Sequence, residues 1–298
     1  MKIHIQIFFL LLFINNAIVA QPGWSQIGGQ LNNISKNDIE NCLNTNCKIK
    51  YITIDSTTDL SRLYLLKNLT NLALKLDLIK LPPNFSELTN LENLIITNSN
   101  IANISELSNL SNLKALTLLN YNGTGLPKGI ELLNNLTELE ITGNYFNANG
   151  IENLVNLNKL KLSSPNLTSL PKFNSKNNIT SLDLFCTNEQ FNYRNFNLLN
   201  NLKTIYLYES AFKTFPDNLT KTLQDITIFR AEQLSDISNL ELYPELKKLY
   251  IYSTAIDKLP SETFLTKIPC VNIFQNKKLK VEDKKSKECN GIYQNGQQ

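Results

Sequence analysis

A single spacing, repeated down the chain, decides what this sequence can fold into. Residues 157–171 read LNKLKLSSPNLTSLP, in which Leu157, Leu160 and Leu162 stand in an L-x-x-L-x-L frame. Leu160 and Leu162 alternate as the buried face of a strand must, and Asn166, Leu167, Leu170 and Pro171 then turn the chain away. The frame starts again at Leu69, Leu91, Leu113, Leu136, Ile179, Leu202, Leu223, Leu246 and Ile268, at spacings of 21, 22 or 23 residues. Such a tile cannot bury its apolar face alone. Stacked on its neighbours it makes one continuous core.

The repeat length and core frame resemble the leucine-rich repeat family over residues 49–279. The resemblance implies an α/β solenoid, a horseshoe whose parallel concave sheet has about ten or eleven strands. It also implies a binding role, with no ligand named.

A second period overlies the first. The repeats starting at Leu69, Leu113, Leu157, Leu202 and Leu246 leave through Leu81-Pro82, Leu126-Pro127, Leu170-Pro171, Phe215-Pro216 and Leu259-Pro260. The others carry Ile104/Leu107, Ile151/Leu154, Phe196/Leu199 and Ile237/Leu240 at the i, i+3 spacing of a helical turn. Proline fixes φ and removes a donor, so the proline repeats are expected to return extended and the others through a short helical or 3₁₀ turn. The unit is then a double repeat. Its proline half is similar to Leu-Pro repeats of plant-type and bacterial proteins, its other half to the shorter 22-residue repeats.

The family's ninth-position asparagine, which satisfies backbone groups at the turn, is sparse. Asn144 and Asn276 hold it; Asn100, Asn122, Asn166 and Asn188 stand one place later.

The ends differ from the repeats. Residues 1–20 read as a signal peptide, with Lys2, an apolar run over 7–14, and Ile18-Val19-Ala20 before Gln21. That run is too short to span a bilayer, so the mature chain is expected without a transmembrane segment, secreted or held at a cell surface or in a periplasm. Residues 21–48 read as an N-terminal cap, in which Ser35 opens a short helix and Cys42 and Cys47 pair in an exported chain. Residues 280–298 form a C-terminal cap and tail, and the family's extracellular members imply a Cys270–Cys289 clamp. Cys186 is then the odd cysteine, a free thiol on an exposed strand.

Little chemistry can be built from this inventory. The only histidine, His4, lies in the signal, which removes imidazole triads and histidine metal sites. Glu138 and Glu140 share a strand face as solvated surface, and no glycine-rich phosphate loop occurs. Charges are scattered at a net +3, which gives nucleic acid no footprint. No enzyme, cofactor or metal is expected.

With the first leucine of each repeat as position one, positions three, five and seven face the hollow. Position seven holds Lys75, Thr97, Leu119, Thr142 and Ser163, then Phe185, Tyr208, Phe229, Tyr252 and Phe274. Position five adds Tyr206 and Tyr250, with Arg230 and Glu209 as a charged border. Strands about 4.8 Å apart would make this a stripe roughly 20 Å long. Its exposed area, roughly 500–900 Å², suits a binding face. A cross-strand ladder that only stabilises the sheet is the plain alternative.

Sequons stand at Asn33, Asn68, Asn84, Asn103, Asn109, Asn122, Asn135, Asn166, Asn178 and Asn218, a number the 44 asparagines largely explain. None faces the hollow, so sugar there would leave the aromatic half bare. The expectation is a binding protein that takes a protein partner on the C-terminal half of the concave face. The rivals are a carbohydrate-binding module, with Asp183, Asn272 and Gln275 supplying polar contacts, and a structural surface or matrix protein.

Overall fold

The computed structural model describes residues 51–55, 59–186, 188–279 and 285–286. The signal, the N-terminal cap helix and Cys42, Cys47 and Cys289 lie outside them. Eleven strands stand side by side in chain order. They are β1 (Tyr51–Asp55), β2 (Asn71–Lys75), β3 (Asn93–Thr97), β4 (Ala115–Tyr121), β5 (Glu138–Gly143), β6 (Lys159–Ser163), β7 (Ser181–Phe185), β8 (Thr204–Tyr208), β9 (Asp225–Phe229), β10 (Lys248–Tyr252) and β11 (Cys270–Phe274). Every neighbouring pair among them is parallel, and β12 (Lys285–Ser286) joins β11 antiparallel.

The leucine frame explains this order. Positions one, four and six point to one side, where Leu157, Leu160 and Leu162 are at most 1 % exposed. Each coil adds such a layer, and the layers merge into one apolar core running the length of the sheet.

The register breaks once. Between Leu118 and Tyr121 the pairing of β4 with β5 shifts, and Leu119 is buried although position seven was expected to face the hollow. A Cβ on Gly143 would lie 1.9 Å from the Tyr121 carbonyl oxygen, so only glycine lets β5 approach here.

The double repeat holds in part. All four repeats without an exit proline return through 3₁₀ turns, at Ser105–Asn109, Ile151–Asn153, Tyr193–Leu198 and Ser238–Leu242. The repeats at Leu157 and Leu202 return without a helix, as expected. Three proline repeats do not: they carry 3₁₀ turns at Phe85–Glu87 and Ile130–Leu132 and an α-helix at Glu262–Lys267. The proline ends the strand side of the coil, but the turn starts a few residues later, where Phe85/Leu88, Ile130/Leu133 and Leu265/Ile268 bury an apolar pair. Three residues before the next repeat, where these coils bury Leu88, Leu133 and Leu265, the two extended coils carry Lys176 and Thr220, so a turn there would lack that apolar anchor. The strict 44-residue unit is therefore incorrect.

The asparagines work from another position. On the residue before the first leucine, the side-chain amides of Asn90, Asn112, Asn156, Asn178 and Asn201 donate to carbonyls of Lys67, Thr89, Asn134, Val155 and Asn177, at 2.7–2.9 Å. Each bond joins one coil to the coil before it. At the expected ninth position Asn144 is exposed, and Tyr145 is buried beside it with its hydroxyl donating to Ile141. Asn276 does act there, its Oδ1 accepting from the backbone N–H and hydroxyl of Thr254.

Cys186 is free among the described residues, but it is buried, not exposed. It stands just past β7, and its thiol donates to Leu167 across the core side of the turn. Burial pushes the thiol up to about 11, so it stays protonated and inert at neutral pH. Cys270, which opens β11, is not free.

Candidate ligand-binding face

From β7 to β11 each strand alternates exposed or half-exposed residues with buried ones, so the leucines, isoleucines and Val271 take the core and the residues between them the open face. The registers Phe185↔Tyr208, Tyr208↔Phe229, Phe229↔Tyr252 and Tyr252↔Phe274 put five aromatics in one column. Tyr206 and Tyr250 stand two residues earlier on β8 and β10. All seven are half-buried.

The rings lean on one another. Phe229 and Tyr252 stack at 4.7 Å with their planes 12° apart, and Tyr206 and Tyr208 stack at 6.4 Å and 10°. Tyr252 meets Phe274 at 4.8 Å and 65°, and Tyr250 meets Phe274 edge-on at 5.3 Å and 88°. Tyr208 and Phe229, 6.2 Å apart, link the two halves. Such contacts are worth about 0.5–1 kcal/mol each, so the stripe also stiffens the sheet.

The charged border is real and has a backbone cause. Glu209, Arg230, Ser253 and Gln275 all hold a left-handed φ, between 46° and 56°, at position eight. That conformation costs about 1 kcal/mol or more in a residue with a Cβ. It aims the amides of Glu209 and Arg230 at the carbonyls of Phe229 and Tyr252, at 2.9 and 2.8 Å, which adds a rung beyond the strand. It also leaves the Arg230 and Glu209 side chains outside, joined at 3.1 Å.

Toward the middle of the face the residues are charged. Lys159 pairs with Glu138 at 2.6 Å, and Lys161 with Glu140 at 2.7 Å. The two glutamates are not the solvated pair expected, since the Glu140 side chain is only 13 % exposed. Asp183 stands next on the same row, between Lys161 and Tyr206 in register. Burial pushes its carboxyl up to about 6; Lys161 and Lys159 pull against that shift and Glu140 adds to it.

Of the other residues singled out by sequence, Asn272 and Gln275 lie on or beside β11, and the sequons among the described residues lie outside β7–β11; Asn33 is outside the described residues. Asn178 and Asn218 already use their amides to tie coils together. Among the described residues no group of three or more histidine, cysteine, aspartate or glutamate side chains could hold a metal ion. None of their helices is long and apolar enough to cross a membrane.

No family model matches this sequence, and no curated protein does. Solved structures do. An internalin of Listeria monocytogenes superposes with a TM-score of 0.60 at 20 % identity, over 85 % of this chain and 74 % of that one. A chain of the Toll–Spatzle complex of Drosophila superposes with a TM-score of 0.57 at 15 % identity, over 81 % of this chain and 38 % of that one. With the parallel sheet and its leucine layers, these likenesses establish that this chain has the leucine-rich-repeat fold.

Proposed function

We propose that this chain is a non-enzymatic binding protein that takes a protein partner on the open face of β7–β11. One observation carries the reading: seven half-buried aromatics across five strands, five of them aligned in register in one column. Aromatic side chains on a rigid scaffold supply contact area at little entropic cost, and a stripe of this size is uncommon on a monomer without a ligand. The Toll–Spatzle complex adds a case in which a chain of this fold is held in a complex. In the same reading the chain is exported, capped at 21–48 and 280–298, and braced by Cys42–Cys47 and Cys270–Cys289 bridges. Asn272 and Gln275 beside the rings favour a sugar as the second reading, since pyranose rings stack on tyrosine between amide contacts.

The test is a parallel screen of the immobilised full chain against arrayed extracellular proteins and against glycans. Protein hits that weaken with Tyr208→Ala plus Tyr252→Ala support the proposal. Hits confined to the glycan array would replace it with the sugar reading.

A further inference from the structure

The open face gives most of its charges a partner. Glu138, Glu140 and Glu209 each hold a cation, and Asp225 faces Lys248 in register. Asp183 is different. Its neighbour Lys161 is already held by Glu140, and Asp183 makes no ion pair or hydrogen bond among the described residues. Among them Asp183 is therefore a carboxylate without an ion pair, at the boundary where the row turns aromatic.

Beyond that boundary, Tyr206 stands directly across from Asp183 on β8, and Phe185 lies two residues along β7 on the same side. Phe185 is half-buried and makes no ring–ring contact among the described residues, whereas the rings further on lean on one another. A half-buried carboxylate with two aromatic residues beside it on the same face is the chemistry that receives a cation. The carboxylate supplies a charge-assisted hydrogen bond, and the rings supply their quadrupoles and cover the aliphatic stem. Arginine fits best, because its plate can lie along an aromatic neighbour while its fork addresses the carboxylate.

We propose that Asp183, Tyr206 and Phe185 form a receptor for an arginine or lysine side chain of the protein partner. This rests on the protein-binding reading and adds the chemistry of one anchor. Burial explains why the anchor is effective: the carboxylate has already given up much of its water on folding, so a docking cation restores interaction at a smaller desolvation cost than at an exposed carboxylate. It also couples docking to pH. The groups facing Asp183 are Glu140, Lys159 and Lys161 on β5 and β6 and Tyr206 on β8. A carboxyl held up at about 6 takes on its proton as pH falls from neutral toward about 5, and a neutral Asp183 attracts no cation.

The test uses the folded full chain and a random dodecapeptide display library panned at neutral pH. Peptides are kept when binding falls on Tyr208→Ala plus Tyr252→Ala. These peptides are expected to be enriched in arginine and lysine. Asp183→Asn should weaken them about tenfold or more and flatten the loss of affinity between neutral pH and pH about 5. Asp225→Asn should leave them within about twofold. Tyrosine-dependent peptides that bind Asp183→Asn unchanged overturn this inference and leave the protein-binding reading standing. Peptides indifferent to the tyrosine pair overturn that reading itself.

Discussion

Replacing Asp183 by asparagine is expected to stabilise the fold at neutral pH. The carboxyl rises from 3.8 to about 6 on folding, so above pH about 6 its charge is held in a site that disfavours it. A difference of about two pKa units corresponds to ~3 kcal/mol at most, at about 1.4 kcal/mol per unit. Partial exposure of the side chain lowers the working figure to about 1–2 kcal/mol. The sign follows from proton counting. Between the unfolded and folded pKa values the folded state binds more protons, so stability falls as pH rises through the window from about 4 to about 6. Asparagine cannot ionise and escapes that fall. Urea unfolding should show the variant more stable at pH about 7.5, with the gap closing by pH about 4. An Asp183→Asn protein no more stable at neutral pH, or a gap that ignores pH, would show that Lys161 fully compensates the carboxylate. Gained stability with lost cation binding would mark Asp183 as a residue kept for function at a structural cost.

Three further outcomes follow from the fold. Gly143→Ala should cost about 2 kcal/mol or more in thermal or urea unfolding, because its Cβ meets the Tyr121 carbonyl at 1.9 Å; an unchanged midpoint refutes the close approach. Asn112→Asp should cost about 1 kcal/mol by removing the amide that donates to Thr89 at 2.9 Å, whereas exposed Asn144→Asp should be near neutral. Cys186 should resist thiol reagents in the native chain and react once it is unfolded, read by intact mass; rapid native labelling would contradict its burial.

The sequence carried the strands and core almost whole, because L-x-x-L-x-L both alternates and recurs. The aromatic columns followed from the same alternation, since a residue between two buried leucines has only one other side. The coil exits were harder. Proline at 82 and 127 suggested extended returns, yet Phe85/Leu88 and Ile130/Leu133 already showed the spacing of a docked turn. The apolar pair decides the turn, and the proline only delays it. Position eight was not legible, because the left-handed backbone at Glu209 and Arg230 is imposed by the next strand's carbonyls. The family's ninth position does not carry the asparagine ladder here; this chain ties its coils together one residue before the first leucine. The raised carboxyl of Asp183 also needed the fold, since burial on the assembled sheet is its main cause and the neighbouring Lys161 and Glu140 act on it from other strands.

The most direct test of the central claim, that the aromatic ladder is a binding face, sets affinity against stability in one variant. Tyr208→Ala with Tyr252→Ala removes the ring contacts at 6.4, 6.2, 4.7 and 4.8 Å while leaving every buried leucine in place. The folded variant should lose ~2 kcal/mol or more of partner binding, about 30-fold in Kd, measured by surface plasmon resonance. Thr97→Ala with Thr142→Ala, in the same column at the other end, should leave Kd within about twofold. Unchanged affinity in the tyrosine variant, or equal losses in both pairs, would make the ladder a brace for the sheet and place the site elsewhere.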